Sequence, residues 1–222
     1  IVAGVDRNTD DSLGYPVFQS LEACDVEVDA IIDFTAAPAV DHLLDYCAEK
    51  KVPVVLCSTG LSDAQMAKVS ESAKKVAVLR SANMSLGVNL LLKLVQEAAK
   101  VLASSGFDIE IVEKHHNQKK DAPSGTALAL AESMNEALGN QYVYDRSSVH
   151  EKRDPKEIGI ASVRGGSIVG DHDVIFAGKD EVITFNHTAY SKAIFAKGAL
   201  EAAKFLAGKE PGLYDMSDVV QL

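Results

Sequence analysis

The residues best suited to chemistry are concentrated in residues 113–128, which read EKHHNQKKDAPSGTAL. This stretch contains two adjacent histidines, His115 and His116, and three lysines, among them Lys119. Histidine exchanges protons near neutral pH, and a partly desolvated lysine can do the same. Each of these residues alone is more often a solvated surface group, but their combination predicts a site of proton transfer.

The second half of the stretch predicts a helix start that binds an anion. Pro-Ser-Gly-Thr opens an Ala/Leu run, in which Ser124 or Thr126 can act as the N-cap and Gly125 lets a ligand approach the backbone. The unpaired N–H groups and the positive end of the helix would favour a carboxylate. The nearby lysines add local positive charge to a protein whose formal net charge is −10.

Composition limits the classes of protein to consider. The 222 residues, 47% hydrophobic and 24% charged, suffice for one substantial core or two modest ones. No apolar run reaches the roughly 18 residues that span a bilayer, and no leader pattern is seen, so we expect a cytoplasmic protein without membrane contact. The acidic balance disfavours nucleic acid. Three cysteines without C-x-x-C spacing argue against disulfides and a structural zinc, and no metal is expected.

Strand and helix patterns alternate in the first part of the chain. Apolar runs at residues 1–5, 28–34, 52–57 and 76–79 predict buried strands, and helices are expected at residues 38–50 and 62–72. Runs that are apolar on both faces and alternate with helices are typical of a doubly wound parallel sheet. The sequence therefore predicts an α/β, Rossmann-like nucleotide domain.

Polar side chains follow the predicted strands at the ends where such sheets bind ligands. Asp6 follows the first run and is placed to receive the ribose hydroxyls of a dinucleotide, with Arg7 available to a 2′-phosphate; an ordinary polar turn is the alternative. Hydroxyl and amide side chains at the other strand ends predict a cofactor crevice lined by Thr35, Ser58, Thr59 and Asn83. Their neighbours Phe34, Cys57, Ser81, Ala82 and Met84 are expected to bind the cofactor with them.

The remainder of the chain predicts a second domain. Residues 86–104 indicate a long crossover helix, residues 107–113 a strand that delivers the histidines, and residues 126–138 a helix that ends before Gly139. Three further strands are expected at residues 158–163, 172–176 and 181–187, followed by a helix at residues 191–207. Their charged or glycine-containing turns favour an α+β domain with a mixed, largely antiparallel sheet.

The segment from His115 to Ala127, HH-x-x-K-x-D-A-P-S-G-T-A, resembles the signature of the dihydrodipicolinate reductases, also called 4-hydroxy-tetrahydrodipicolinate reductases. These enzymes act on the diaminopimelate route to lysine. The similarity covers essentially the whole chain and continues through I-x-D-F-T at residues 31–35, STG at residues 58–60, ANMS at residues 82–85 and RGG at residues 164–166.

The resemblance implies a reaction, partners and domain limits. The reaction is the reduction of 4-hydroxy-tetrahydrodipicolinate to tetrahydrodipicolinate, with loss of water and a hydride from NADH or NADPH. The substrate is a small cyclic dicarboxylate. The resemblance also implies a homotetramer, a nucleotide domain at residues 1–84 and 193–222, and a substrate-binding and oligomerisation domain at residues 85–192.

Roles for individual residues come from the same resemblance. His115 resembles the catalytic acid/base, and Lys119 resembles the proton donor to the position that becomes carbanion-like after hydride transfer. The expected binders of the substrate carboxylates are His116, Ser124, Gly125 and Thr126. Asp121 is expected to hold the loop, unless it is only a turn former.

Two other functions stay open at this stage. A non-catalytic nucleotide-binding module would keep the strand-end hydroxyls but would not need adjacent histidines and a lysine. Another nicotinamide-dependent oxidoreductase, acting on an aldehyde or an amino-acid semialdehyde, would use a reactive cysteine, and Cys57 lies at a predicted strand end. Alkylation of Cys57 with loss of turnover would favour this second alternative.

One expected part of the fold is not found in these 222 residues. The family's G-x-x-G-x-x-G turn, with the strand before it and the helix after it, has no counterpart in the sequence. Such a turn holds the dinucleotide pyrophosphate. This unit, roughly 30 residues, either precedes Ile1 in the expressed protein or is missing from it, and our expectation is the first.

Overall fold

The computed structural model describes residues 1–8, 11–144 and 146–221. The chain divides into two compact units, one formed by Ile1–Met84 with Lys197–Leu222 and the other by Ser85–Ala196. Among the described helices, none combines the length and apolar character needed to cross a membrane.

The chain begins with a short two-stranded ladder in which β1 (Gly4–Val5) pairs in parallel with β2 (Val17–Phe18). The prediction of a buried strand at residues 1–5 is wrong. Only two residues form a strand, and the Ile1 and Val2 side chains are 73% and 56% exposed. A ladder of two residues per strand covers little side-chain surface, so apolar residue types alone did not secure burial.

The predicted alternation then follows. Its elements are β3 (Ile31–Asp33), α1 (Ala37–Lys50), β4 (Val54–Leu56), α2 (Asp63–Ala73) and β5 (Ala77–Arg80). The three strands pair in parallel. A capping box between Ser62 and Gln65 begins α2, and the left-handed Lys51 ends α1. β4 and β5 carry fully buried aliphatic side chains, several of which pack with Val40, Leu44 and Val69 in one core.

The second unit is built on a five-stranded sheet. Its elements are α3 (Leu86–Leu102), β6 (Asp108–His115), α4 (Gly125–Asn135), β7 (Gln141–Val143), β8 (Glu157–Arg164), β9 (Gly170–Ala177) and β10 (Val182–Ala189). The strand order is β10-β9-β6-β8-β7. The predicted mixed sheet is confirmed, and most of its paired residues lie in antiparallel ladders. β10-β9 and β9-β6 are antiparallel, whereas β6-β8 and β8-β7 are parallel.

The parallel pairs of this sheet arise from the connection through α4, which returns the chain so that β7 and β8 run in the direction of β6. The three-residue β7 was missing from the prediction because so short a strand has no measurable periodicity. Sequence cannot distinguish this crossover from a hairpin when one of the strands goes unrecognised.

Alternation along β6 determines what lies beneath the helices. Ile109, Ile111, Glu113 and His115 share one buried face. The first two join a core with Leu130, Met134 and Phe176, and each such side chain contributes about 1.5–3 kcal/mol by burial. The same face becomes polar toward the carboxyl end of the strand, where Glu113 and His115 lie.

The chain ends with α5 (Ala193–Leu206), β11 (Gly212–Tyr214) and α6 (Met216–Val219). β11 pairs in parallel with β5, which gives a four-stranded sheet of order β11-β5-β4-β3. The division between the two units falls inside α5, after Ala196, whereas the sequence placed it before residue 193. The Rossmann-like parallel sheet and the α/β class are confirmed.

Candidate active site

A buried carboxylate organises the carboxyl end of β6. Glu113 is 0% exposed and accepts two hydrogen bonds from Arg164, Nη1 to Oε2 at 2.8 Å and Nη2 to Oε1 at 2.7 Å. The backbone N–H of Ser124 donates to Oε1 at 3.0 Å. The Nδ1 atom of His115 lies 2.6 Å from Oε2. One side chain therefore connects β6, β8 and the start of α4.

The charge of Glu113 follows from these contacts. Burial by itself raises the pKa of this carboxyl, but hydrogen bonds from Arg164, His115, Ser162 and the Ser124 N–H outweigh it and hold the pKa at about 2. The carboxylate in turn raises the pKa of Arg164. Both groups are thus ionised at neutral pH, and the pair is neutral as a whole.

Ser124 is the N-cap of α4, which resolves the two sequence-based alternatives against Thr126. Its Oγ accepts a hydrogen bond from the Ala127 N–H at 3.1 Å. Gly125 is the first residue of the helix, and a Cβ added there would meet no atom within 4 Å. The first turn of α4 therefore presents backbone to open space beside the Glu113 cluster.

His172 on β9 is a site residue that the sequence analysis did not single out. It lies opposite Glu113 in the antiparallel ladder, is 4% exposed, and its Nε2 is 3.0 Å from Ser124 Oγ. Its ring meets that of His115 edge-on, with centroids 5.1 Å apart. Burial lowers the pKa of His172 to about 4, with a further contribution from His115, so this imidazole is neutral at pH 7.

The loop between β6 and α4 carries Lys119 and is held at both ends. Lys119 Nζ pairs with Asp121 Oδ2 at 2.8 Å, and this hydrogen bond lowers the pKa of Asp121. Arg164 Nη2 also donates to the Asp121 carbonyl at 2.7 Å. The backbone N–H of Lys119 donates to the His116 carbonyl at 3.1 Å. Hydrogen bonds thus link Lys119 to the Glu113 cluster through Asp121 and Arg164.

In the first unit, Asp33 joins two of the predicted cofactor-binding residues. This carboxylate is 3% exposed and accepts from the Thr35 N–H at 3.0 Å, Thr35 Oγ1 at 2.6 Å and Ser58 Oγ at 2.7 Å. It therefore fixes hydroxyl groups at the ends of β3 and β4. Asp33 was quoted in the sequence only as part of a motif and was not assigned to the site.

The other predicted cofactor residues differ in how exposed they are. Asp6 and Arg7 are exposed beyond the two-stranded ladder, where Asp6 Oδ1 accepts from the Asn8 N–H at 2.8 Å. Phe34, Thr59 and Ala82 are exposed, Ser81 and Asn83 are half-buried, and Met84 is buried. At the end of β5, the buried Nε of Arg80 has no hydrogen-bond partner among the described residues.

Cys57 lacks the properties of a nucleophile. Burial, together with the negative charge of Asp33, raises the pKa of its thiol to about 12. The pKa of the Cys47 thiol is raised to about 12 for the same reasons. A thiol with such a pKa carries almost no thiolate at neutral pH.

Two family models together match almost the whole chain. Residues 1–84 match "Dihydrodipicolinate reductase, N-terminus" and residues 87–220 match "Dihydrodipicolinate reductase, C-terminus". The chain belongs to the dihydrodipicolinate reductase family. The resemblance inferred from the segment His115 to Ala127 is thus confirmed.

Individual reductases of this family are similar over the same range. A 4-hydroxy-tetrahydrodipicolinate reductase from Caldanaerobacter subterraneus subsp. tengcongensis is 55% identical, covering 100% of this chain and 88% of the relative. The enzyme of the same name from Clostridium novyi is 48% identical, with 100% and 88% covered.

Solved structures agree with the fold. The dipicolinate-bound dihydrodipicolinate reductase from Paenisporosarcina sp. TG-14 superposes with a TM-score of 0.81 at 25% identity, covering 98% of this chain and 88% of that one. GenD2 from gentamicin A biosynthesis, solved in complex with NAD, reaches a TM-score of 0.57 at 13% identity over 99% and 82% of the two chains, and this likeness concerns the fold alone.

Proposed function

We propose that this chain reduces 4-hydroxy-tetrahydrodipicolinate to tetrahydrodipicolinate, with loss of water, as an NAD(P)H-dependent oxidoreductase of lysine biosynthesis. The observation that carries the proposal is the titratable cluster at the end of β6. There Glu113 holds His115 at 2.6 Å and the backbone of Ser124 at 3.0 Å, inside the segment that identifies the reductase family. A module that only bound nucleotide would have no use for this arrangement.

The substrate we propose is a small cyclic dicarboxylate held at the start of α4. The backbone at Gly125 and Thr126 binds one carboxylate, because the N-terminus of a helix carries partial positive charge and favours anions. Ser124 supports this turn by capping the Ala127 N–H. His116 contacts a substrate carboxylate from the preceding loop. The relative from Paenisporosarcina was solved with dipicolinate bound, which is a dicarboxylate of this kind.

Proton transfer is assigned to two side chains of the same segment. His115 acts as acid/base for the departing hydroxyl, and Lys119 protonates the carbon position that becomes electron-rich. The Lys119–Asp121 pair at 2.8 Å keeps the ammonium group in place. The nicotinamide, when bound, supplies the hydride.

The nicotinamide cofactor is assigned to the first unit, and NADH and NADPH both fit the sequence. Asp33 presents the hydroxyls of Thr35 and Ser58 at neighbouring strand ends. At the end of β5, Arg80 Nε has no partner among the described residues and is a donor that suits an anionic or carbonyl group. The residues we assign to the cofactor are Asp6, Arg7, Phe34, Thr35, Cys57, Ser58, Thr59, Ser81, Ala82, Asn83 and Met84.

The assembly we propose is a cytoplasmic homotetramer without nucleic-acid or membrane partners. Val163 and Val182 are 45% and 61% exposed on the sheet face opposite α3 and α4. Apolar side chains on an open sheet face suit contact with further copies of the chain. Sedimentation velocity at micromolar concentration measures this directly; a monomer would contradict it.

The test of the function is a spectrophotometric assay. The substrate is generated by the preceding synthase, and oxidation of NADH and of NADPH is followed through the near-ultraviolet nicotinamide absorbance. We expect turnover that depends on the synthase product, and competitive inhibition by pyridine-2,6-dicarboxylate. No turnover with either nucleotide, or no inhibition at millimolar analogue, would contradict the proposal.

A further inference from the structure

The hydrogen bonds around Glu113 determine which nitrogen of His115 carries a proton. Arg164 contributes two N–H donors and Ser124 one, and all three point at the carboxylate oxygens. A guanidinium remains charged, so a neutral Glu113 would remove the partner that accepts two hydrogen bonds from the half-buried Arg164. Glu113 is therefore ionised, and an ionised carboxylate only accepts hydrogen bonds. The 2.6 Å contact thus requires a proton on His115 Nδ1.

The other ring nitrogen is then the one available to exchange protons. In a neutral imidazole with Nδ1 protonated, Nε2 is a bare acceptor. Gly170, the neighbour across the ladder, leaves room beside this atom, since a Cβ at that position would lie 3.2 Å from Nε2. At position 170 the chain therefore has no Cβ that would crowd the nitrogen left unprotonated.

We infer that Glu113 is a positioning residue that fixes His115 with its proton on Nδ1 and so assigns the acid/base work to Nε2. The inference rests on the proposed function of His115. Nothing in the reductase assignment itself requires it, because the same reaction could use either nitrogen. Glu113 does not touch substrate in this account; it acts through the ring it orients.

Glu113 also positions groups beyond His115. Through Oε1 it holds the Ser124 N–H at 3.0 Å, and through Arg164 it holds the Asp121 carbonyl of the Lys119 loop. The carboxylate therefore orients the acid/base ring and also connects it to the helix turn proposed to bind the substrate. Loss of the negative charge should change the ring tautomer, whereas loss of shape should change only its position.

Glu113→Gln separates these two effects. The amide keeps nearly the same shape, but its NH₂ group can face His115 only as a donor, so the neutral ring should move its proton to Nε2. Two-bond ¹H–¹⁵N correlation spectra of histidine-labelled protein at alkaline pH distinguish the two tautomers, and His115→Gln identifies the signals of this ring. The spectra need neither substrate nor turnover, so their result is independent of the proposed activity.

Glu110→Gln is the matched control. Glu110 lies on the same strand, on the opposite face, and pairs with Arg153 at 2.8 Å. We expect wild type and the Glu110 variant to show protonated Nδ1, and the Glu113→Gln variant to show protonated Nε2. A wild-type ring protonated at Nε2, or a Glu113→Gln ring still protonated at Nδ1, overturns the inference. If Glu113→Gln does not fold, the wild-type spectrum alone decides.

Steady-state kinetics of the Glu113 variants provide a second test of the inference. We expect Glu113→Gln to lower kcat by about two to four orders of magnitude, the size of an acid/base contribution, while KM for the dicarboxylate changes less than about threefold. Glu113→Asp keeps an acceptor and should restore kcat at least about tenfold relative to Gln. Equal losses in both variants would mean a structural role only and would overturn the inference.

Discussion

Two strand ends of this molecule carry a buried carboxylate, and they differ in the groups that surround it. The hydrogen bonds described for Asp33 in the first unit come from neutral donors, the Thr35 N–H and the hydroxyls of Thr35 and Ser58. Glu113 in the second unit receives a guanidinium, an imidazole and a backbone N–H. Hydroxyls that are held in place orient a ligand, whereas an oriented imidazole also moves protons. The proposed function therefore places binding at the first end and chemistry at the second.

The largest effect that sharpens this comparison concerns Lys119. Lys119→Ala should lower kcat by about two to four orders of magnitude, because the substitution removes the proposed proton donor from the second strand end. Lys120→Ala is the control, since Lys120 is the exposed next residue, and it should keep kcat within about twofold. Steady-state kinetics with saturating cofactor measure both. Near-normal turnover of Lys119→Ala would contradict its role as the proton donor and would favour the reading of Lys119 as a surface group.

Removing the counter-charge of Glu113 should be the largest effect on stability. Arg164→Gln leaves a fully buried carboxylate uncompensated, which costs about 3–5 kcal/mol. Urea unfolding at pH 7 followed by circular dichroism measures this, since the chain contains no tryptophan. Lys100→Gln, which breaks an exposed pair with Glu97, should cost less than about 1 kcal/mol.

The pH dependence of the free energy of unfolding extends this test. The folded pKa of Glu113, about 2, lies below the usual value of 4.5, so its contribution is present above about pH 4.5 and is lost as the pH falls toward 2. Protonation also removes the buried charge from the Arg164 variant. The difference between wild type and Arg164→Gln should therefore shrink below pH 4.5, and a constant difference would contradict the account.

His172 predicts a second, separate pH window. Its pKa is about 4 in the folded chain and 6.5 ordinarily, so the unfolded chain binds the proton first as the pH falls. Stability is complete above about pH 6.5 and falls by about 3 kcal/mol by pH 4. His172→Gln should remove this slope, while the exposed His150→Gln should not. Identical pH profiles for wild type and His172→Gln would count against a neutral buried ring.

The smallest effect is expected at Cys57. Iodoacetamide at neutral pH should leave turnover within about twofold, because a thiol with a pKa of about 12 carries almost no thiolate. Cys57→Ala should behave in the same way. Rapid loss of activity that the alanine variant resists would favour an aldehyde-type oxidoreductase with a cysteine nucleophile.

Local pattern predicted the parts of the site that lie close together in sequence. The motif from His115 to Ala127 placed the histidines, the lysine and the helix start, and Ser124 was one of two proposed caps. Glu113 had a signal that was not used. In a strand, residues two apart share a face, so an acid at this position had to lie beside His115.

No pattern in the sequence indicated the partners of these residues that lie far away along the chain. Arg164 and Glu113 are 51 residues apart, and His172 is 48 residues from Ser124. Their meeting depends on the register of β6 with β8 and β9, which one sequence does not specify. The prediction of a buried strand at residues 1–5 was wrong for a related reason, because burial depends on the pairing and packing of the strand and not on its apolar residues alone.

The most direct test of the division between binding and chemistry compares Asp33→Asn with His115→Gln in one reductase assay. Asp33→Asn weakens one or more hydrogen bonds worth about 1 kcal/mol each, so KM for the nicotinamide cofactor should rise about three- to tenfold with kcat within about twofold. His115→Gln should lower kcat by about two to four orders of magnitude and leave that KM nearly unchanged. A large kcat loss in Asp33→Asn together with a mainly KM effect in His115→Gln would contradict the account.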